Sequence, residues 1–206
     1  MAGKVFFGVT MSLDGFIAPG SLGELMGKQW MELQQWIFPL RFFRENLKLG
    51  EGGEEGRDND ISRETFERTG ASVMGKRMFD AGEQMWPEEA PFHTPVFVVT
   101  HEKRDPWERP GGTTFYFVND GIEAALDQAR EAAGDRDVRI AGGGATILEY
   151  LNAVLIDEFS IALSPVLFGS GIRLFDGVDA DRVALEPIRA EHSPRVTHLT
   201  YAVRER

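Results

Sequence analysis

Cysteine is absent from this chain of 206 residues. Disulfides, thiolate metal sites and cysteine nucleophiles are excluded with it. No apolar run approaches the roughly 20 residues that a bilayer-spanning helix needs, so no membrane segment is expected. The opening stretch, MAGKVFFGVTMSLDGFIA, shows no basic leader followed by a long apolar segment and a small-residue cleavage site. A cytoplasmic protein is therefore the expectation. Positive charge is also scarce: 22 Lys and Arg stand against 33 Asp and Glu, a net charge of -11. Such a chain repels nucleic acid and anionic lipid overall, so neither is an expected partner. A small anionic cofactor can still bind where positive charge is local. Histidine is sparse, and His93, His192 and His198 form no i, i+4 pair, so no metal site is expected. There is no Gly-x-Ser-x-Gly elbow and no phosphate-binding P-loop, which disfavours an α/β-hydrolase or a nucleoside triphosphatase.

What is present is an ordinary apolar fraction, 42%, in a chain long enough to bury roughly 70% of its unfolded surface without staples. Residues 4–11 read as a buried strand, short, apolar and closed by a turn. Residues 24–49 read as helix broken near Pro39. The acidic, glycine-rich 50–60 reads as a mobile loop. Ser62 is expected to open a short helix through Arg68, ended by Thr69-Gly70. A strand over 71–74, Gly75 and a helix from Lys76 to about Gln84 follow. Strands are expected at 95–100, 114–118, 137–141 and 157–163. Helices are expected at 121–133, capped by Asp120, and at 145–153. The tail, 183–192 and 195–204, reads as two antiparallel strands around Ser193-Pro194. Strands alternating with helices imply an α/β fold with a mostly parallel, helix-flanked sheet. No repeat or boundary is visible, so residues 1–206 are expected to form one domain.

Three glycine or polar turns follow three of these strands, where a parallel sheet places its ligands. Glycine lets the backbone approach a phosphate, and the next helix offers free N–H groups. The first turn is Val73-Met74-Gly75-Lys76-Arg77-Met78. Cations suit a helix N-terminus poorly, and an anionic ligand would offset that; a plain turn with two solvated basic residues is the alternative. The second, Thr100-His101-Glu102-Lys103-Arg104, would suit an extra phosphate such as that of NADP, or be a hydrated loop. The third, Ala141-Gly142-Gly143-Gly144-Ala145-Thr146, lacks the further glycine and the distant acidic residue of a Rossmann fingerprint.

Taken in order, Thr10-x-x-x-Asp14-Gly15-x-Ile17-Ala18, Val73 to Arg77, Thr100 and Ala141 to Gly144 resemble the dihydrofolate reductase superfamily. Ser164-Pro165-Val166-Leu167-Phe168-Gly169-Ser170-Gly171 with Leu174-Phe175 resembles, within it, the reductase domain of the bifunctional riboflavin-biosynthesis deaminase–reductase and its stand-alone relatives. The resemblance runs from about residue 4 to 203. It implies a three-layer dihydrofolate-reductase-like fold with NADPH across the strand ends, a small-molecule substrate, and commonly a homodimer. It implies that Gly75, Lys76, Arg77 and Met78 hold the pyrophosphate and adenosine ribose. Thr100 and His101 would sit near the adenine and its 2′-phosphate. Gly142, Gly143, Gly144, Ala145 and Thr146 would cover the pyrophosphate and nicotinamide, and Val9, Thr10, Ile17 and Ala18 would line the nicotinamide pocket.

Folate reductases carry a carboxylate on the helix before the Met-Gly turn. Here Ser62 falls at that position, with Asp58, Asp60 and Glu64 within a turn of it, which points away from folate. Asp14 and Thr10 are the candidate catalytic residues: Asp14 to orient substrate or relay a proton, Thr10 to hydrogen-bond substrate or carboxamide. Asp14-Gly15 is equally a common turn. Trp30, Trp36, Phe38, Phe42 and Phe43 suit a core or subunit interface, with a substrate lid as the alternative. The expected activity is NADPH-dependent reduction of a C=N or C=O in a pterin-, pyrimidine- or sugar-like molecule. A catalytically inactive nucleotide-binding module and a Rossmann-type dehydrogenase are the rival readings.

Overall fold

The computed structural model describes residues 3–24 and 26–206. Along the chain run β1 (Val5–Ser12), β2 (Phe16–Ala18), α1 (Lys28–Gln34), α2 (Arg41–Asn46), α3 (Arg57–Arg68), β3 (Thr69–Gly75), α4 (Lys76–Glu83), β4 (Val96–Val99) and β5 (Trp107–Glu108). Then come β6 (Thr114–Val118), α5 (Gly121–Ala133), β7 (Asp137–Gly142), α6 (Gly144–Asn152), β8 (Glu158–Ser164), β9 (Ile172–Arg173), β10 (Val183–His192) and β11 (Thr197–Glu205). The fold is mixed α/β, with a mostly parallel central sheet flanked by helices. The chain sorts into two compact units, Met1–Phe7 with Thr65–Asp157, and Gly8–Glu64 with Glu158–Arg206. β1 and α3 each begin in one unit and end in the other by chain continuity.

In the first unit the strands lie in the order β1-β7-β3-β4-β6-β5. All neighbours are parallel except the short β5 against β6. Every residue of β3 is buried, as a strand covered on both faces requires. Met74, Phe79, Val96, Val98 and Phe115 form the core at 0% exposure, and Trp86, Phe92, Trp107 and Phe117 close around it. α5 turns Ala125, Leu126, Ala129 and Ala133 inward at helical spacing. It stops at Gly134, whose φ of 65° suits glycine.

In the second unit β10, β11, β8 and β1 lie side by side, with β10-β11 and β11-β8 antiparallel. β10 is the edge strand. It is mostly exposed, Leu185 and Ile188 included, and its register breaks between Pro187 and Arg189. Trp36, Leu40, Ala162 and Val196 form one core cluster, and Phe16, Leu33 and Phe168 another. The aromatic stretch of 24–49 thus serves packing here: Phe38 meets Trp30 and Phe43 ring to ring.

Four local readings are corrected. The helix assigned to Ser62–Arg68 starts at Arg57, and Ser62 lies inside it, its hydroxyl donating to the Asp58 carbonyl one turn back. Thr69-Gly70 does not end that helix in a loop but opens β3. Asp120 stands at the N-cap of α5 without a side-chain capping bond. The 50–56 loop is tied down: the Glu54 carboxylate takes both Arg195 guanidinium nitrogens at 2.6 and 2.8 Å, and its N–H donates to the Pro39 carbonyl.

Candidate active site

Two helices of the first unit begin on glycine at the carboxyl ends of neighbouring strands. Gly75 is the N-cap of α4 and Gly143 that of α6, and neither helix has a side-chain cap. The first N–H groups of each are left for a ligand or water. β3 and β7 are parallel, with Met74 opposite Gly142, so both starts lie on one sheet edge. They also meet: a Cβ built on Gly75 would stand 2.2 Å from Thr146 Oγ1 and 3.9 Å from the Gly143 nitrogen. Only glycine fits there. A Cβ on Gly143 would meet nothing within 4 Å, so open space faces α6 at that point. Gly142 has a φ of 128°, and the Gly142–Gly143 peptide bond is cis. Gly142 also packs beside Met78, whose sulfur would lie 2.9 Å from an added Cβ.

The third turn joins the same edge, because β4 pairs with β3 and Gly75 stands opposite Val99. Thr100 is buried and its hydroxyl accepts the Glu102 N–H at 3.0 Å. Asn119 Nδ2 donates to the carbonyls of both Thr100 and Glu102 at 2.9 Å. The turn is therefore held in shape by its own polar groups, with His101 exposed on it. Gly75, Lys76, Arg77, Met78, Thr100, His101 and Gly142 to Thr146 thus come together on one sheet edge.

The expected cations are largely engaged. Lys76 bonds to Asp80 on its own helix and reaches Glu102 at 3.0 Å. Those two carboxylates, Asp80 foremost, hold the Lys76 ammonium above its ordinary pKa. Arg104 bonds to Glu83 at 2.7 Å and lies over the rings of Phe79, Trp107 and Phe117. Arg77 is exposed on the first turn of α4.

The second unit carries the other candidates. Thr10 is buried on β1, donates to Gln34 Oε1 at 2.9 Å and accepts the Trp36 indole N–H at 3.0 Å. Its proton and one lone pair are committed, leaving one lone pair to accept a bond. Val9, Ile17 and Ala18 are half-buried. Asp14 closes a turn: its carboxylate accepts the Ser12 hydroxyl at 2.6 Å and the N–H groups of Phe168 and Gly169 at 3.0 and 2.7 Å. The Ser12 hydroxyl, then those amides, pull its pKa from 3.8 to about 2. The ionised form is the one bound, so the clamp is complete above pH 3.8 and is lost as pH falls toward 2. Asp14→Ala is expected to speed amide exchange at Phe168 and Gly169 at neutral pH. Unchanged protection there would refute the clamp.

Sequence reasoning did not find the second unit's most buried ionisable pair. Asp58 Oδ1 and His198 Nε2 stand 2.6 Å apart at 7% and 4% exposure. The His198 ring meets Trp36 edge-on at 5.3 Å. Of the three carboxylates weighed on this helix, only Asp58 is buried; Asp60 and Glu64 face solvent. The partners lie 140 residues apart, so no local spacing signals them.

Glycine-started helices converging at the carboxyl ends of parallel strands form a ligand-binding edge of an α/β fold. The chain belongs to the RibD C-terminal domain family, matched over residues 3–199. That family is a reductase family. The chain is 26% identical over 172 residues to the YyaP protein of Bacillus subtilis (strain 168), covering 84% of this chain and 80% of that one. A crystal structure of a putative riboflavin biosynthesis protein from Shewanella sp. PV-4 matches with a TM-score of 0.65 at 23% identity, over 98% of this chain and 99% of that one. Dihydrofolate reductase from Enterococcus faecalis, complexed with NADP(H), matches with a TM-score of 0.53 at 15% identity, over 98% of each chain. At these identities the two structures establish the fold. Among the described residues no helix is long and apolar enough to cross a membrane.

Proposed function

We propose that the chain acts as one reductase domain that binds NADPH and reduces a C=N or C=O of a small pterin-, pyrimidine- or sugar-like molecule. The observation that carries this reading is the meeting of two uncapped helix starts at Gly75 and Gly143 on adjacent parallel strands. Paired free N–H groups beside open backbone fit a pyrophosphate. The fit is supported by the cation Arg77 on the first of these helices.

In this reading Gly75, Lys76, Arg77 and Met78 hold the phosphates and adenosine ribose, with Thr100 and His101 toward the adenine. Gly142 to Thr146 cover the pyrophosphate and nicotinamide. The dinucleotide, when bound, supplies the hydride; the chain supplies orientation and electrostatics. Thr10 offers a fixed acceptor to an N–H or O–H of the bound molecules. Asp14, kept ionised, acts through the 166–169 segment it holds, which positions the acceptor molecule.

The test is equilibrium binding of NADPH, followed by quenching of the four tryptophans, with NADH alongside. Saturable NADPH binding supports the site, and binding of neither nucleotide overturns it. Arg77→Ala is expected to weaken NADPH by about 1–3 kcal/mol, the scale of a lost charged hydrogen bond. A Rossmann-type mode centred on Gly142 to Gly144 alone would leave that affinity intact.

A further inference from the structure

The turn after β4 carries an acid where a phosphate site would want a base. Lys76 enters the edge from α4, and Glu102 meets it from the neighbouring turn at 3.0 Å. Glu102 is not a free side chain that happens to reach over. Its N–H is bonded to Thr100 and its carbonyl to Asn119, so the backbone that aims it is fixed from two directions. The Lys76 ammonium also bonds a second carboxylate, Asp80. A guanidinium of the same turn, Arg104, is bound to Glu83 and laid against three rings.

A phosphate monoester entering beside Lys76 must displace Glu102 and tolerate its charge. A ribose that keeps its hydroxyl can instead donate to that carboxylate, as acidic residues do in sites that take the unphosphorylated dinucleotide. We propose that Glu102 sets the cofactor preference of this chain, holding down the advantage of NADPH over NADH. The proposal rests on the dinucleotide reading given above.

Glu102→Gln keeps both backbone bonds of the turn and removes only the charge. Coulomb repulsion between a carboxylate and a phosphate dianion at this exposure sets an effect of about tenfold. The full chain is titrated with NADPH and with NADH by tryptophan quenching, as the parent, as Glu102→Gln and as Glu131→Gln. Glu131 is exposed on α5 and controls for net charge. Glu102→Gln is expected to bind NADPH about tenfold tighter while NADH stays level or weakens, with Glu131→Gln like the parent. An unchanged NADPH to NADH ratio in Glu102→Gln, when both nucleotides bind, overturns the proposal and leaves the reductase reading standing. If neither nucleotide binds any of the three proteins, the reductase reading falls and this proposal falls with it.

Discussion

Asp58→Ala is expected to lower folding stability by about 1–3 kcal/mol, the scale for leaving a buried polar group without its hydrogen-bond partner. The pair is well enclosed: both side chains are at least nine-tenths buried and their polar atoms are 2.6 Å apart. His198 sits on β11 opposite Ala162 of β8, with the Trp36 ring edge-on to it. Deleting Asp58 leaves the imidazole Nε2 buried without its hydrogen-bond partner. Deleting His198 leaves a buried carboxylate, so His198→Leu is expected to cost a similar amount. The combined Asp58→Leu/His198→Phe protein replaces both polar groups with apolar volume and is expected to regain most of the loss. Urea unfolding of the four proteins checks this. Single-variant losses below about 1 kcal/mol would mean that the pair behaves as a hydrated one.

Gly75→Ala is expected to disable the proposed dinucleotide site. The new Cβ would stand 2.2 Å from Thr146 Oγ1, far inside van der Waals contact. Overpacking of this kind costs about 1–3 kcal/mol, and relief requires α6 or the start of α4 to shift. Either movement separates the two helix starts that the proposed phosphate site brings together. NADPH affinity is expected to fall about 100-fold, or about 2.7 kcal/mol. Thr146→Ala removes the offending oxygen and leaves its Cβ 3.4 Å away. The double variant Gly75→Ala/Thr146→Ala is thus expected to recover stability well beyond the sum of the singles. Thermal melts and NADPH titration on the same samples read both effects. Normal affinity in Gly75→Ala would place the phosphates elsewhere.

The regular strands were legible because their apolar runs are bounded by turn residues. The expected strand at 114–118 and helix at 121–133 coincide with β6 and α5. β2, β5 and β9 were not, since two or three residues carry no period. α3 was misplaced for a physical reason. Its first turn is Arg57-Asp58-Asn59-Asp60, which reads as more of the acidic loop before it. Yet the acids suit a helix N-terminus, and Asp58 and Asn59 are drawn inward by partners the local sequence does not contain, His198 and the Phe42 N–H. The glycine turns were found because glycine announces a backbone requirement. How far their cations are neutralised was not, because Lys76 and Glu102 become neighbours only once β3 and β4 pair.

The interrupted register of β10 bears on how the protein behaves when concentrated. A ten-residue edge strand showing Leu185 and Ile188 would ordinarily invite another chain to extend the sheet. Pro187 has no N–H to offer such an incoming strand, and the register of the strand shifts beside it. Glu186, Arg189 and Glu191 add charge along the same edge. The strand therefore resists the growth of fibrillar aggregates while keeping apolar side chains on its surface.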